Sequence, residues 1–243
     1  MDRGLYITAS GMQAELLRQE RIANDLANGN TPGYKPDLAG NRAFSDMLLV
    51  NRQTGAPIGP AGTGVLGVDD GLDTRQGALR GTDEQLDVAL DGPGWIGIQT
   101  ETGVAYTRNG QFRLDAKSQL VNATGAPVLG EGSKPIVIPP NVPVEIDADG
   151  QISAGGKVLG KLLIVGLGDP VRTGDGLYTG EVGERPKEMA VRQGYLEASA
   201  VNPSESMVAM IVSLRAYEAG QRVLHAIDET LQRGISSAGA GPA

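Results

Sequence analysis

Arg3–Asn28, RGLYITASGMQAELLRQERIANDLAN, and Pro203–Ile235, PSESMVAMIVSLRAYEAGQRVLHAIDETLQRGI, decide the fold. In the first stretch Leu5, Ala9, Met12, Leu16, Gln19, Ala23 and Leu26 follow at alternating steps of four and three. In the second, Met207, Met210, Leu214, Tyr217, Gln221, Leu224, Asp228, Leu231 and Ile235 step by three and four. That spacing puts a mostly apolar seam along one side of each predicted helix, as in a coiled coil. A helix of about 30 residues is roughly 45 Å long. It cannot cover its seam against itself and needs a second helix, from this chain or from another copy. The polar Gln19, Gln221 and Asp228 interrupt the seams. Such groups weaken packing but fix register and partner.

Everything between the two stretches reads as strands and turns. Most of the 36 glycines and 14 prolines fall there, which suits short strands joined by tight turns. Apolar segments recur at close intervals from Leu86 to Val165, among them Leu86 to Leu90, Trp95-Ile96-Gly97-Ile98, Ala105-Tyr106-Thr107 and Leu162 to Val165. Asn109-Gly110, Thr124-Gly125, Asp149-Gly150 and Gly155-Gly156 supply hairpin turns. The expected class is α+β: N- and C-terminal long helices forming a coiled-coil-like domain, and a central antiparallel β-rich domain of sandwich or barrel type. Residues 1–35 and 200–243 are expected to form the helical assembly domain, 36–85 an extended connection and 86–199 the β-rich domain. Within the connection, Phe44, Met47, Leu48 and Leu49 anchor a short element, and Gly55 to Gly64 reads as a flexible run.

Helix ends carry their own signals. Asp2 can cap the first helix, and Ala27-Asn28-Gly29 closes it in the left-handed region. Asn202-Pro203-Ser204-Glu205 opens the last, with an N-cap, a first-turn proline and a capping-box acid. Ser236 to Ala243 reads as a frayed tail.

Net charge is −8, and an acidic surface repels phosphate, so nucleic acid is not an expected partner. No cysteine is present, which excludes disulfides and thiolate metal sites. The first residues lack a basic segment followed by an apolar core, and no run reaches spanning length, so neither a cleaved signal peptide nor membrane insertion is expected.

Catalytic and cofactor signals dissolve on inspection. Gly62 to Gly67 fits G-x-G-x-x-G, but no strand precedes it and Val68-Asp69-Asp70-Gly71 cannot open a helix on a phosphate. Asp147-Ala148-Asp149-Gly150 lacks the remaining ligands of a calcium loop. Asn122-Ala123-Thr124 fits a sequon and a turn equally well. The single histidine, His225, has no second histidine at metal-ligand spacing. Carboxylate pairs for glycan hydrolysis can be drawn from 29 acids, yet most sit in turns where solvation explains them. No catalytic, cofactor-binding or metal residue is assigned, and the chain is not expected to be an enzyme.

Ile22 to Lys35, IANDLANGNTPGYK, resembles the N-terminal signature of bacterial flagellar rod and hook proteins, roughly I-A-N-N-L-A-N-x-N-T-x-G-[FY]-K. Asn24, Leu26, Ala27, Asn28, Thr31, Pro32, Gly33 and Tyr34 carry the match, while Asp25 replaces the usual second Asn. Leu86 to Gly92 is similar to that family's L-D-[LV]-A-[IL]-x-G, and Tyr106 to Phe112 to its Y-T-R-[DN]-G-x-F. Gln193 to Asn202 is similar to Q-G-x-L-E-x-S-N-V-N, with Ala200 for Asn, and Arg215-Ala216-Tyr217-Glu218-Ala219 to R-[AQ]-[YF]-E-A. Trp95 stands where the family usually has Phe.

The resemblance implies a structural subunit of the basal-body rod that polymerises through its terminal helices into an axial tube, transmitting torque and carrying exported subunits. It implies other rod and hook proteins, further copies and the flagellar export apparatus as partners. It also implies a place in the rod crossing the periplasm, reached without a cleaved signal peptide. The Met1-Asp2-Arg3 start and compact middle favour a proximal-rod type over a distal-rod or hook subunit. Another class, a secreted β-domain that binds cell wall, would need an exposed aromatic platform. The assembly interface is assigned to Leu5, Ala9, Met12, Leu16, Ala23, Leu26, Met207, Met210, Leu214, Tyr217, Leu224 and Leu231.

If those residues are covered only on assembly, the free subunit keeps loosely held ends. Limited proteolysis of the monomer is expected to trim residues before Asn28 and after Pro203 first. Ends as resistant as the middle would count against this.

Overall fold

A computed structural model describes residues 2–43, 47–50, 57–61, 64–140 and 142–239. It divides into two compact units. The first holds residues up to Leu26, Asp37–Asp70 and those from Asn202 on; the second holds Ala27–Pro36 and Gly71–Val201. Residues 27–35, grouped with the helical ends by sequence, thus fall with Pro36 in the β unit.

The first unit contains α1 (Asp2–Ala27), β1 (Asp37–Ala43), β2 (Met47–Val50), β3 (Pro57–Ala61), most of β4 (Val65–Leu72) and, at the end of the chain, α2 (Pro203–Gly239). Strand β1 pairs with β4, and β2 with β3. The connection expected over 36–85 is therefore strand-bearing. Residues 57–61, read as part of a flexible run, form β3; Phe44 and residues 55, 56, 62 and 63 of that run lie outside the described residues. Helix α2 continues past Ile235 to Gly239, further than the small residues there imply. At its start, Asn202 Oδ1 accepts from the Ser204 and Glu205 amides at 3.1 and 3.5 Å, the expected cap.

The second unit carries β5 (Leu79–Gly81), β6 (Val88–Asp91), β7 (Trp95–Thr100), β8 (Gly103–Thr107), β9 (Arg113–Leu114), β10 (Leu120–Val121), β11 (Leu129–Gly130) and β12 (Lys134–Pro135). It continues with β13 (Val144–Ile146), β14 (Gln151–Ala154), β15 (Lys157–Lys161), β16 (Ile164–Gly174), β17 (Leu177–Gly183), β18 (Ala190–Gln193) and β19 (Tyr195–Glu197). Strands β16, β17, β8 and β7 close into a small barrel. Strands β13, β14 and β15 form a three-stranded sheet, and β6 pairs with β18 and β5 with β19.

Side-chain alternation sorts the core into two clusters. Ile96, Ile98 and Ile164 join Val88, Leu90, Phe112, Leu120, Val128, Ile138, Ile152 and Leu162 in the larger one. Trp95 and Val165, one residue out of phase, join Tyr106 and Tyr178 in the smaller. A period of two sends neighbours on β7 and β16 to opposite sides.

Two local departures have physical reasons. Residues after Gly166 read as turns because of Asp169-Pro170 and Thr173-Gly174-Asp175-Gly176, yet β16 and β17 form a long hairpin across them. The ladder absorbs the misfit as register shifts between Gly168 and Val171 and again before Gly174. The glycine of Asn109-Gly110 does not supply a positive φ. A Cβ at Gly110 would sit 1.6 Å from the Val88 carbonyl oxygen, and Val88 N donates to Gly110 O at 3.0 Å. It is glycine because the β6 backbone passes directly over it. Gly110→Ala must push β6 aside and is expected to destabilise the chain by about 2 kcal/mol or more, measured by denaturant unfolding. An unchanged midpoint would contradict the close approach.

Candidate assembly interface

In the first unit α1 and α2 pack antiparallel. A Cβ on Gly4 would meet Ile227 at 3.7 Å, and one on Gly220 would come within 2.6 Å of Met12 Cγ. Ser213 Oγ lies 2.6 Å from Glu15 Oε2 and 3.2 Å from the Glu15 carbonyl oxygen. Ser213 is fully buried, so this hydroxyl–carboxylate bond fixes where one helix stands along the other.

The line each helix covers differs from the apolar seam in a definite way. On α2 it runs Ser206, Met210, Ser213, Tyr217, Gly220, Leu224, Ile227 and Leu231. Met210, Tyr217, Leu224 and Leu231 are shared with the seam; Met207, Leu214, Gln221, Asp228 and Ile235 are exposed. On α1 the covered line is Thr8, Met12, Glu15, Gln19, Ile22 and Leu26, whereas Leu5, Ala9, Leu16 and Ala23 are exposed. Small residues decide this. Interaxial distance depends on the side chains at the contact, and Ser213 and Gly220 let the helices approach where Leu214 would hold them apart. The surplus apolar residues stand outward: Leu5, Tyr6, Ile7, Leu16 and Leu17 on α1, and Met207, Val208, Ile211, Val212 and Leu214 near the start of α2.

The motif residues of the loop after α1 sit in the second unit. Thr31 Oγ1 donates to Asn28 Oδ1 at 3.2 Å, and the Thr31 and Tyr34 amides close successive turns on the Asn28 and Thr31 carbonyls. Pro32 is half-buried, Gly33 and Tyr34 are buried, and Asn24 and Ala27 are exposed. Gly33 has φ +68°, and a Cβ there would fall 2.3 Å from the Arg108 carbonyl carbon; both observations require glycine.

Beside it lies a buried ionic clasp. Glu197 and Lys35 are fully buried and Arg108 nearly so. Glu197 accepts from Lys35 Nζ at 2.6 Å, from Arg108 at 3.2 Å and from the Gly77 amide at 2.8 Å. Lys35 Nζ also donates to the Arg75 carbonyl, and Arg172 donates to the Lys35 carbonyl. Arg172 stacks 4.4 Å over the Tyr34 ring, Arg108 stands 5.4 Å over Trp95, and the Trp95 and Tyr178 rings lie 4.7 Å apart. The Gly33 amide bonds to the Glu197 carbonyl and the Ala200 amide to the Tyr34 carbonyl. Segments 33–35 and 197–200 are thereby held side by side.

Burial pulls the Lys35 ammonium below the usual lysine range, opposed by Glu197. Burial likewise lowers Arg108, against the same carboxylate. Hydrogen bonds from Arg75 hold the Asp73 carboxyl below the usual carboxylate range.

Nothing in the clasp is poised for chemistry: its one carboxylate is consumed by three donors. Asp147 Oδ1 accepts from the Asp149 and Gln151 amides, and Asn122 Oδ1 from Thr124 and Ala126, so both are turn formers. Among the described residues no grouping of three or more His, Cys, Asp or Glu could hold a metal ion. No described helix is long and apolar enough to cross a membrane. Sequence reasoning quoted Lys35, Arg108 and Glu197 inside motifs without seeing that they meet. Charged residues inside otherwise apolar blocks were the available signal, but separations of 73 and 89 residues carry no spacing rule.

Three family models match the chain: "Flagella basal body rod protein" over residues 5–35, "Flagellar hook protein FlgE/F/G D1 domain" over 89–154, and "Flagellar basal body rod FlgEFG protein C-terminal" over 192–237. The rod protein FlgF of Escherichia coli K12 is 34% identical, over 96% of this chain and 97% of its own length. The rod protein FlgG of Buchnera aphidicola from Schizaphis graminum is 33% identical, over 94% and 97%. The hook-basal body complex protein FlhO of Bacillus subtilis is 28% identical, over 98% and 99%. The class is thus that of the flagellar rod and hook subunits. Within it, the chain belongs to the flagellar basal-body rod protein family.

Removing one partner of a buried ion pair leaves the others uncompensated, at a cost of about 3–5 kcal/mol. Glu197→Ala is expected to lower unfolding free energy by that amount. Arg233→Ala, which breaks an ion pair with Glu229 whose two side chains are 74% and 67% exposed, is expected to cost about 1 kcal/mol or less. Denaturant melts of the two variants make the comparison, and equal losses would contradict the clasp.

Proposed function

We propose that the chain is a structural, non-catalytic subunit of the bacterial flagellar basal-body rod, polymerising through its terminal helices into the axial tube. The observation that carries this reading is the apolar surface left on the outer sides of α1 and α2. Leu16, Met207, Ile211 and Leu214 are each about half exposed. Fully burying such a side chain contributes about 1.5–3 kcal/mol, so covering each one on a neighbour adds roughly 1 kcal/mol. Helices that spend one edge on each other and keep another for neighbours extend into a coiled-coil-like array. Because the two edges differ, contacts between copies are heterologous and propagate as an open helical tube rather than closing.

In this reading the partners are other rod and hook proteins and further copies of the chain. The tube crosses the periplasm, transmits torque and carries exported subunits. The flagellar export apparatus delivers the chain. The proximal-rod type is favoured on the compact middle. The cell-wall-binding alternative gains nothing from Trp95, which is 3% exposed and stacked inside the smaller core.

Ile211→Asp and Leu214→Asp alter only outward positions. Each is expected to change monomer stability by no more than about 0.5 kcal/mol, while abolishing recovery of the subunit in purified basal bodies and halting swimming. Normal swimming with both replacements present would overturn the reading.

A further inference from the structure

The clasp is short of one negative charge. Lys35 and Arg108 share the single carboxylate of Glu197, and unequally. Lys35 Nζ lies 2.6 Å from Oε1, while Arg108 Nη1 lies 3.2 Å from Oε2, long for a bond between charges. The Arg108 Nε is buried and has no hydrogen-bond partner. Asp73, the next acid whose charge reaches Lys35, is bound through both oxygens to Arg75. A guanidinium has five N–H donors and keeps its proton in a protein. Arg108, 4% exposed, is therefore a buried cation with too few acceptors, which is costly.

Arg108 also lines a pocket of about 410 Å³ in the β unit, within the size range of ligand sites. Trp95, Pro93 and Leu167 give the pocket apolar walls, and the exposed Thr74 borders it. Among the described residues that line it, Arg108 alone is charged. Apolar walls leading to one cation suit a negative head on a hydrocarbon stem. A phosphate, with up to two charges and three acceptor oxygens, asks for more donors than one partly engaged guanidinium offers. A carboxylate matches a guanidinium in charge and in planar geometry.

We propose that this pocket binds a single carboxylate on a short aliphatic stem, which supplies the acceptor Arg108 lacks. The site goes beyond the rod reading and does not depend on it. An acidic side chain of a neighbouring subunit and a small free acid share this chemistry. With either one bound, Glu197 is left to Lys35 and the Gly77 amide.

Trp95, the sole tryptophan of the chain, reports from the pocket wall. Purified full-length chain is titrated with N-acetyl-glutamate methylamide at constant ionic strength while tryptophan emission is followed. A saturable change is expected, with the glutamine counterpart and inorganic phosphate binding about ten-fold more weakly or worse. No saturable change, or equal affinity for either control, overturns the site. Arg108 also serves the clasp, so the variant is made at Thr74 instead. Thr74→Glu offers the pocket a carboxylate from within the chain; it is expected to unfold cooperatively and to lose the response to the probe. An undiminished response overturns the site as well. The same variant separates the two sources. Its absence from purified basal bodies assigns the carboxylate to a neighbouring subunit, and normal recovery there assigns it to a small free acid. An unaltered chain that binds the probe but is never found in basal bodies sinks the rod reading and leaves this site standing.

Discussion

The β unit depends on one carboxylate. Glu197 has been taken wholly out of water, which is affordable only because three donors converge on it from distant parts of the chain: Lys35, Arg108 and the Gly77 amide. Such a group tolerates no partial arrangement. Lys35 brings the loop after α1 to it, Arg108 the end of β8, Gly77 the approach to β5, and Glu197 itself ends β19. Close backbone passage follows: Gly33 against Arg108, Gly77 against Ala198 and Gly110 against Val88 leave no room for a Cβ. The aromatic cluster of Trp95, Tyr106 and Tyr178 then covers the cations. This packing makes the segments flanking both helices a fixed part of the β unit, which suits a subunit meant to pass force.

The helical unit follows the opposite logic. Its helices are joined by a narrow line of small and polar contacts, with Gly220 on Met12 and Ser213 on Glu15. Close approach there leaves larger apolar residues facing outward. A chain meant to stay single would place Leu214 and Met207 inward and Ser213 and Gly220 outward. The arrangement found leaves that apolar surface uncovered within the unit, and the proposed assembly rests on it.

Much of the architecture was legible because it is periodic or local. Steps of three and four gave both helices, Asn202 gave the start of α2, and glycine-punctuated apolar segments gave the β unit. Three things were not. The β16–β17 hairpin was hidden because its bulges accept turn-forming residues inside a ladder. The edge of each helix used within the chain was hidden because a seam pattern ranks residues by hydrophobicity, while close packing selected the small ones. The clasp was hidden because its members are separated by scores of residues.

The sequence alone determined the class, two long terminal helices around a β-rich middle, and through its motifs the kinship with rod and hook proteins. These follow from short-range rules, periodicity and turn chemistry, which need only neighbours in the chain. Tertiary structure decided which residues are buried and which stay exposed. It placed Lys35, Arg108 and Glu197 in one dry cluster and turned Leu214 outward. Burial is a property of the whole folded surface: the free energy of a charge or a leucine depends on what the distant parts of the chain bring beside it.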